Sequence, residues 1–372
     1  MDSGELTRGQ LKDAMGSDEA IAGNLSVDST AEYPLIRAAG SYREMGRQHG
    51  EQAADKIKSH VEFIAADARL SRAQLHAEAM AFQPLFAKYC PHLLEEIEGL
   101  AEGAGIPLAE ALAVNIRGEL GRAGKAGCTT YAIGRSTTLD GKILAGQNSD
   151  MGPHVPPLGY VLHLKPTDKP EVLMWTFGGM IGYHGVNSLG VAHFANSLFG
   201  EGPDVQWGMP HYPLKRLMLE CEHVDQIVEL LKTIPLASSA NYMICDGHGN
   251  ILDVEATTAG PEILRDNQTG FLVHSNHYIC SRYASEKNFP AEWKDSFPRV
   301  ERMAGMLLNR LGLLTLDDVK QALSDHAGYP TSICRHTTAS ATVASLIADP
   351  GGRRLHVSFC NPCQHHYATY SL

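Results

Sequence analysis

The stretch Gly121-Arg122-Ala123-Gly124-Lys125-Ala126-Gly127-Cys128-Thr129-Thr130 separates two regions of the chain that differ in character. Before it, up to about residue 120, the periodicity is helical. Ser41 can cap a helix while Glu44, three residues on, reaches back to the cap amide, the reciprocal pairing of a capping box. Met45, Ala53, Ile57, Val61, Ile64 and Ala68 then recur at three- and four-residue steps and predict an amphipathic helix to about Arg69. A second helix is expected from Ser71, with Leu75, Ala79, Phe82, Phe86 and Tyr89 in register. Pro84 lacks an amide proton and should kink or split it. Pro91 and Pro107 suit first-turn positions, with Gly103 and Gly105 as terminators between them.

After Cys128 the pattern becomes short strands separated by turn signals. Asp140-Gly141, Asp246-Gly247 with Gly249-Asn250, and Asp349-Pro350-Gly351-Gly352 each lie between apolar runs and predict antiparallel hairpins. A further hairpin is expected at Asn187-Ser188-Leu189-Gly190, between Met174–Phe177 and Val191–Phe194. Helices return at about 214–220, 224–232, 298–311 and 316–326. Strands and helices in separate blocks favour antiparallel sheets covered by helices over alternating βαβ winding. Length alone leaves one domain or two open. With no repeat of 20–50 residues and no low-complexity linker, one domain over 32–372 after a polar extension, 1–31, is the economical reading.

The 372 residues are 44% hydrophobic and 20% charged, ordinary globular usage. Lys plus Arg total 31 against 42 Asp plus Glu, a formal charge of −11, so nucleic acid and anionic membranes are poor partners. Neither a signal-peptide core nor 18 consecutive uncharged apolar residues is found, and a cytoplasmic location is expected. Eight cysteines are too sparse for a disulfide scaffold and read mostly as reduced core thiols. Cys360-Asn361-Pro362-Cys363 with His365-His366 offers one side of a metal site, but no second pair at a suitable distance completes four ligands, so no metal and no cofactor are expected. Trp175, Phe177, Tyr183, Phe194 and Phe199 could line an acyl pocket, although aromatic residues in strands usually fill cores.

Gly127-Cys128 carries the chemistry that stands apart. A glycine carbonyl is open to close approach, and its peptide is strained at little steric cost. If the Cys128 thiol attacks the Gly127 carbonyl, an N-to-S acyl shift gives a thioester, and hydrolysis frees Cys128 as a new chain start. The new α-amine, ordinarily near pKa ~7.7–8.0, would then serve as general base for the adjacent thiol.

The motifs Gly127-Cys128-Thr129-Thr130-Tyr131, Gly146-Gln147-Asn148-Ser149-Asp150, His274-Ser275-Asn276-His277 and Ser332-Ile333-Cys334-Arg335 closely resemble the acyl-coenzyme A:6-aminopenicillanic acid acyltransferase family, autoproteolytic cysteine peptidases of the N-terminal nucleophile superfamily. Gly40-Ser41-Tyr42, Gly46, His49-Gly50-Glu51 and Gly178-Gly179-Met180-Ile181-Gly182 with Val186-Asn187 continue the likeness, which covers roughly residues 35–365. The resemblance implies an α+β fold, an αββα sandwich of antiparallel sheets, made as a precursor. A cut between 127 and 128 would leave an α chain (1–127) and a β chain (128–372) that stay associated.

Carried over by position, Cys128 is nucleophile and freed base, Asp150 holds the amine or its neighbours, Asn276 donates to the oxyanion, and Arg335 fixes charge near both. The family's Trp before the motif's Asp is Ser149 here, which touches the pocket lining. Asp150 as a turn acid, Asn276 as a loop amide and Arg335 as a partner for Asp325 are the plainer readings. His274, His277 and His336 flank the site, yet a free amine makes an imidazole base unnecessary. The expected activity is hydrolysis of a small N-acyl amide through a thioester. The rivals are a coenzyme A-dependent acyltransferase, against which the lack of a Gly-rich phosphate loop counts, and an uncleaved binding protein. Homo-oligomerisation is left open.

Overall fold

The computed structural model describes residues 29–120, 127–266, 268–280, 282–286 and 289–372. Most of the polar extension and the whole of the segment 121–126 lie outside the described residues. A strand β1 (Leu35–Gly40) leads into α1 (Tyr42–Ala68), α2 (Arg72–Ala81), α3 (Gln83–Tyr89), α4 (Pro91–Ala104) and α5 (Leu108–Asn115). The capping box at Ser41 and Glu44 is present, α1 ends at Arg69 in the left-handed conformation, and a second capping box joins Ser71 to Gln74. The helix expected from Ser71 is split just before Pro84 into α2 and α3.

Gly105 terminates α4 with φ 66°, but Gly103 does not terminate anything. It lies inside α4 and, with Gly99, faces Gly46 and Gly50 of α1. A Cβ on Gly99 would sit 2.0 Å from the Arg43 carbonyl oxygen and one on Gly46 1.9 Å from that of Glu96, so the two helices touch backbone to backbone. Four glycines at helical spacing serve a crossing here, and Gly103 is one of its contacts rather than a helix stop.

The strand-rich region contributes β2 (Gly127–Ile133), β3 (Leu144–Met151), β4 (Gly159–Pro166), β5 (Val172–Phe177), β6 (His184–Asn187) and β7 (Ala192–Ser197). Helices α6 (His211–Met218) and α7 (Val224–Thr233) precede β8 (Ala240–Cys245), β9 (Ile251–Thr257), β10 (Gly260–Leu264) and β11 (Phe271–His274). The chain closes with α8 (Ser296–Leu308), α9 (Leu316–Leu323), β12 (Ala341–Asp349), β13 (Arg354–Phe359) and β14 (Tyr367–Ser371). Among the described residues no helix is long and apolar enough to cross a membrane.

These strands make two sheets, β1-β4-β5-β6-β7-β8-β9-β10 and β11-β2-β3-β12-β13-β14. The hairpins at 140–141, 246–250 and 349–352 form β2/β3, β8/β9 and β12/β13. The turn at 187–190 joins β6 to β7, not β5 to β7, because the short strand His184–Asn187 intervenes and pairs with both. One pair is parallel, β1 on β4 at the edge of the larger sheet, and so departs from the all-antiparallel expectation.

The large core of Trp175, Phe177, Phe194, Tyr160 and Met174 fills the space between the sheets and under α1 to α5, whereas Tyr131, Ile133 and Leu144 pack outward against Met303, Leu307, Val319 and Leu323 of α8 and α9. Two sheets face to face with helices on both outer surfaces form an αββα sandwich. Strand alternation decides what this offers chemistry: along β2, odd-numbered side chains meet α8 and even-numbered ones meet the other sheet.

Candidate active site

Cys128 is the second residue of β2, paired across to Ser149 of β3, and Gly127 pairs with Asp150. By parity the Cys128 thiol points between the sheets, where Thr130 Oγ1 reaches Asn196 Oδ1 of β7 at 2.6 Å. There the thiol lines a cavity of about 440 Å3 together with Arg117, Glu119, Tyr183, His184, Asn196, Phe199, Tyr212 and Lys215. Tyr183 and Phe199 therefore line a pocket, while Trp175, Phe177 and Phe194 are core, so the aromatic group noted in the sequence divides.

The backbone of Cys128 is held from the opposite face. Its N–H donates to Asn276 Oδ1 at 3.0 Å, and its carbonyl accepts from Ser275 Oγ at 3.0 Å and from Arg299 Nη1 at 2.7 Å. Arg299 Nη2 also donates to Asn276 Oδ1 at 2.8 Å, and Asn276 Nδ2 donates to the Ser197 carbonyl at 2.9 Å. Both ends of the Asn276 amide are thus oriented, its oxygen toward the Cys128 nitrogen.

Asp150 is fully buried; Oδ1 accepts from Thr342 Oγ1 at 2.7 Å, and Oδ2 has no hydrogen-bond partner among the described residues. A Cβ placed on Gly127 would lie 3.1 Å from the Trp293 ring and 3.3 Å from Asp150 Oδ2, so only glycine leaves that carboxylate beside the 127–128 peptide without displacement. Burial pushes the Asp150 carboxyl up to about 7, against the pull of Arg299 and Arg335. Burial and then the Asp150 charge push the Cys128 thiol up to about 12, although the Asp150 backbone amide favours the thiolate. In the uncut chain the thiol is therefore un-ionised at neutral pH.

Arg335 does not pair with Asp325, which Arg302 takes at 2.6 Å. Instead Arg335 Nη1 donates to Asp295 Oδ2 at 2.6 Å, and Arg299 Nε donates to the same oxygen at 2.9 Å. One carboxylate thus anchors two guanidinium groups, Arg335 stacked 5.4 Å over Trp293 and Arg299 on the Cys128 carbonyl. The sequence reading missed Arg299. Its signal was available: it falls four residues before Met303 and eight before Leu307, a charge on the buried stripe of α8.

Lys215 was also missed. It is buried on α6, lines the cavity, lies with Nζ 3.3 Å from His184 Nε2, and is lowered to about 8 by burial. Histidines 274 and 277 are occupied elsewhere, His274 Nε2 with Glu255 at 3.1 Å and His277 Nδ1 with Ser296 Oγ at 2.8 Å. The metal reading needs correction. Cys363 is grouped not with His365 and His366 but with His326, Cys334 and His336, so four ligand atoms do come together.

The chain is similar to several known proteins. A curated relative, the acyl-coenzyme A:6-aminopenicillanic-acid-acyltransferase 40 kDa form of Emericella nidulans, is 26% identical over 344 residues, covering 88% of this chain and 92% of that protein. Among solved structures, a single-residue variant of conjugated bile acid hydrolase from Clostridium perfringens has 15% identity and a TM-score of 0.46, covering 66% of this chain and 97% of that one. Penicillin V acylase from Agrobacterium tumefaciens has 12% identity and a TM-score of 0.44, covering 62% and 82%. The family model for acyl-coenzyme A:6-aminopenicillanic acid acyl-transferase matches residues 137–364, more than half of the chain, a span that includes Asp150, Asn276, Arg299 and Arg335. On that match, the chain belongs to the acyl-coenzyme A:6-aminopenicillanic acid acyl-transferase family.

Proposed function

We propose that this protein is an autoproteolytically activated amidohydrolase that cleaves a small N-acyl amide through a thioester on Cys128. The observation that carries the reading is the double attachment of Cys128: its amide nitrogen is fixed by Asn276 at 3.0 Å while its side chain opens into the cavity. One residue thus belongs both to the peptide to be cut and to the substrate pocket.

In the first step the thiol sulfur attacks the Gly127 carbonyl carbon. Asp150, poised near neutrality beside that peptide, takes the thiol proton and passes it to the departing Cys128 nitrogen as the C–N bond breaks. Water then splits the thioester, leaving a Gly127 carboxylate and a free Cys128 thiol. The new α-amine replaces Asp150 as the proton acceptor. It titrates near ~7.7–8.0, well matched to activating a thiol whose own ionisation is suppressed by burial. Turnover repeats the chemistry on a bound amide, with the leaving amine receiving the proton and water releasing the acyl group. Asn276 and Arg299 hold the attacking residue in register.

Transfer to an acceptor amine in place of water is the second reading, favoured by the acyltransferase name of the Emericella nidulans relative. Hydrolysis makes the smaller demand, because transfer needs an amine oriented against the thioester with water shut out. Mass spectrometry of the purified protein tests the first step. Two fragments meeting between Gly127 and Cys128 are expected from the wild type and none from Cys128→Ala. A fully active chain in one piece would refute the mechanism. Assay of the cut protein with N-acyl amines, N-acyl amino acids and β-lactams, each with and without an acyl-thioester donor, separates hydrolysis from transfer.

A further inference from the structure

Away from the cavity, four side chains from three segments converge on one point. His326 follows α9, Cys334 and His336 flank Arg335, and Cys363 lies in the loop between β13 and β14. Their ligand atoms all lie within 4.8 Å of one another. Cys334 Sγ and Cys363 Sγ are 3.6 Å apart, each is 3.4 Å from His336 Nε2, and the two imidazole Nε2 atoms are 3.1 Å apart.

Hydrogen bonds alone do not account for this. His336 Nε2 faces two thiols, the His326 ring nitrogen and Asn361 Nδ2 at 3.4 Å. A neutral imidazole nitrogen has one lone pair or one proton, not partners for four groups. A single cation at the centre would satisfy the two thiols and both imidazoles together.

We propose that His326, Cys334, His336 and Cys363 form a structural zinc site. Zinc takes two thiolates at about 2.3 Å and two imidazoles at about 2.0–2.1 Å, and a regular tetrahedron on those bonds has edges of about 3.8 Å between sulfurs, about 3.5 Å between sulfur and nitrogen, and about 3.3 Å between nitrogens. Four of the six edges, the 3.6 Å between sulfurs, the two of 3.4 Å from His336 Nε2 to the sulfurs and the 3.1 Å between nitrogens, match to within about 0.2 Å, and the two from His326 to the sulfurs are within 4.8 Å. Asn361 Nδ2 supplies the outer hydrogen bonds such sites use, to Cys334 Sγ at 3.4 Å and to the Arg335 carbonyl at 2.8 Å. Four protein ligands close the coordination, so the ion is a brace. Binding releases the protons of both thiols. What it braces is Arg335, held between two ligands with its guanidinium on Asp295.

The test uses the full chain, purified without chelator, with zinc measured by elemental analysis and cobalt substitution followed by absorption. The wild type should carry one zinc per chain and, with cobalt, show a thiolate charge-transfer band and the strong visible bands of a tetrahedral ion. Cys363→Ser and His326→Gln should each lose most of the metal; His326 is exposed, so its replacement leaves the core intact. Cys128→Ala should keep its zinc, which separates this site from the nucleophile and makes the outcome independent of autoproteolysis. A wild type that takes up neither zinc nor cobalt, full retention in both ligand variants, loss in Cys128→Ala, or a Cys334–Cys363 disulfide in the purified protein would each overturn the proposal.

Discussion

Replacing Arg299 by methionine tests the site most directly, because its guanidinium joins the Cys128 carbonyl, Thr129 Oγ1, Asn276 Oδ1 and Asp295 at 2.7 to 2.9 Å while only 2% exposed. Removing one partner of a buried ion pair typically costs about 3–5 kcal/mol. Here the remaining groups are not all stranded. Asp295 keeps Arg335 at 2.6 Å, the Cys128 carbonyl keeps Ser275 at 3.0 Å, and Asn276 Oδ1 keeps the Cys128 N–H. The lower end, about 3 kcal/mol, is therefore expected. Denaturant unfolding in a Cys128→Ala background, where the chain stays whole, reads this loss. Arg302→Met is the control: its side chain is 48% exposed and its pair with Asp325 should contribute about 0–1 kcal/mol.

Arg299 is also the leading charge holding the Asp150 carboxyl down. In the Arg299→Met variant with Cys128 intact, the pH midpoint of self-cleavage should move above that of the wild type. A variant that unfolds like Arg302→Met and cleaves with an unshifted pH profile would refute the assigned contacts.

Asp150 binds its proton up to about pH 7 in the folded chain but only to ~3.9 when unfolded. Between those values the native state holds more protons, so this residue lowers stability as pH rises through the window; Asp150→Asn should flatten that decline in unfolding titrations and abolish the rise in self-cleavage rate near pH 7. Asn276→Ala removes the acceptor that fixes the Cys128 nitrogen at 3.0 Å and should reduce kcat by about 10²-fold through misplacement of the nucleophile, whereas a change confined to KM in steady-state assays would assign it to binding. Lys215, a buried amine on the cavity wall, is placed to bind a substrate carboxylate, so Lys215→Met should raise KM about 10-fold or more for N-acyl amino acids, in line with about 1.5–3 kcal/mol for a hydrogen bond to a charged group, and less for neutral N-acyl amines; equal shifts would rule that role out. Gly99→Ala must force the touching backbones of α1 and α4 apart and should cost about 1–3 kcal/mol, while Gly305→Ala, with open space at its Cβ, should stabilise by about 0.5–1 kcal/mol; denaturant unfolding reads both.

Local rules made much of this fold readable. The capping box at Ser41, the break before Pro84 and the Asp-Gly turns each depend on a few neighbouring residues, and each appears in place. What escaped depends on partners far along the chain. β1 is a short strand whose reason for being extended is β4, more than a hundred residues later. β6 has four residues, too few for alternation to register. Gly103 looks like a helix stop until Arg47 of the facing helix is set against it. Cys128, Asp150, Asn276 and Arg335 stand out one motif at a time, but the residue that ties three of them together, Arg299, belongs to no motif and becomes visible only when α8 is laid on β2. The His326, Cys334, His336 and Cys363 grouping was likewise hidden, since its fourth member arrives from a different hairpin loop.

The parallel pairing of β1 with β4 has a bearing on reversibility. β1 lies before residue 127 and its partner after it, so in a whole chain their meeting is ring closure within one molecule. If the proposed cut at 127–128 removes that link, the same pairing becomes an encounter between two molecules, and recovery of the cut protein from denaturant should slow on dilution where that of the whole chain does not. On the proposed mechanism the fold would then be assembled once, and its lifetime would be set by how slowly it comes apart.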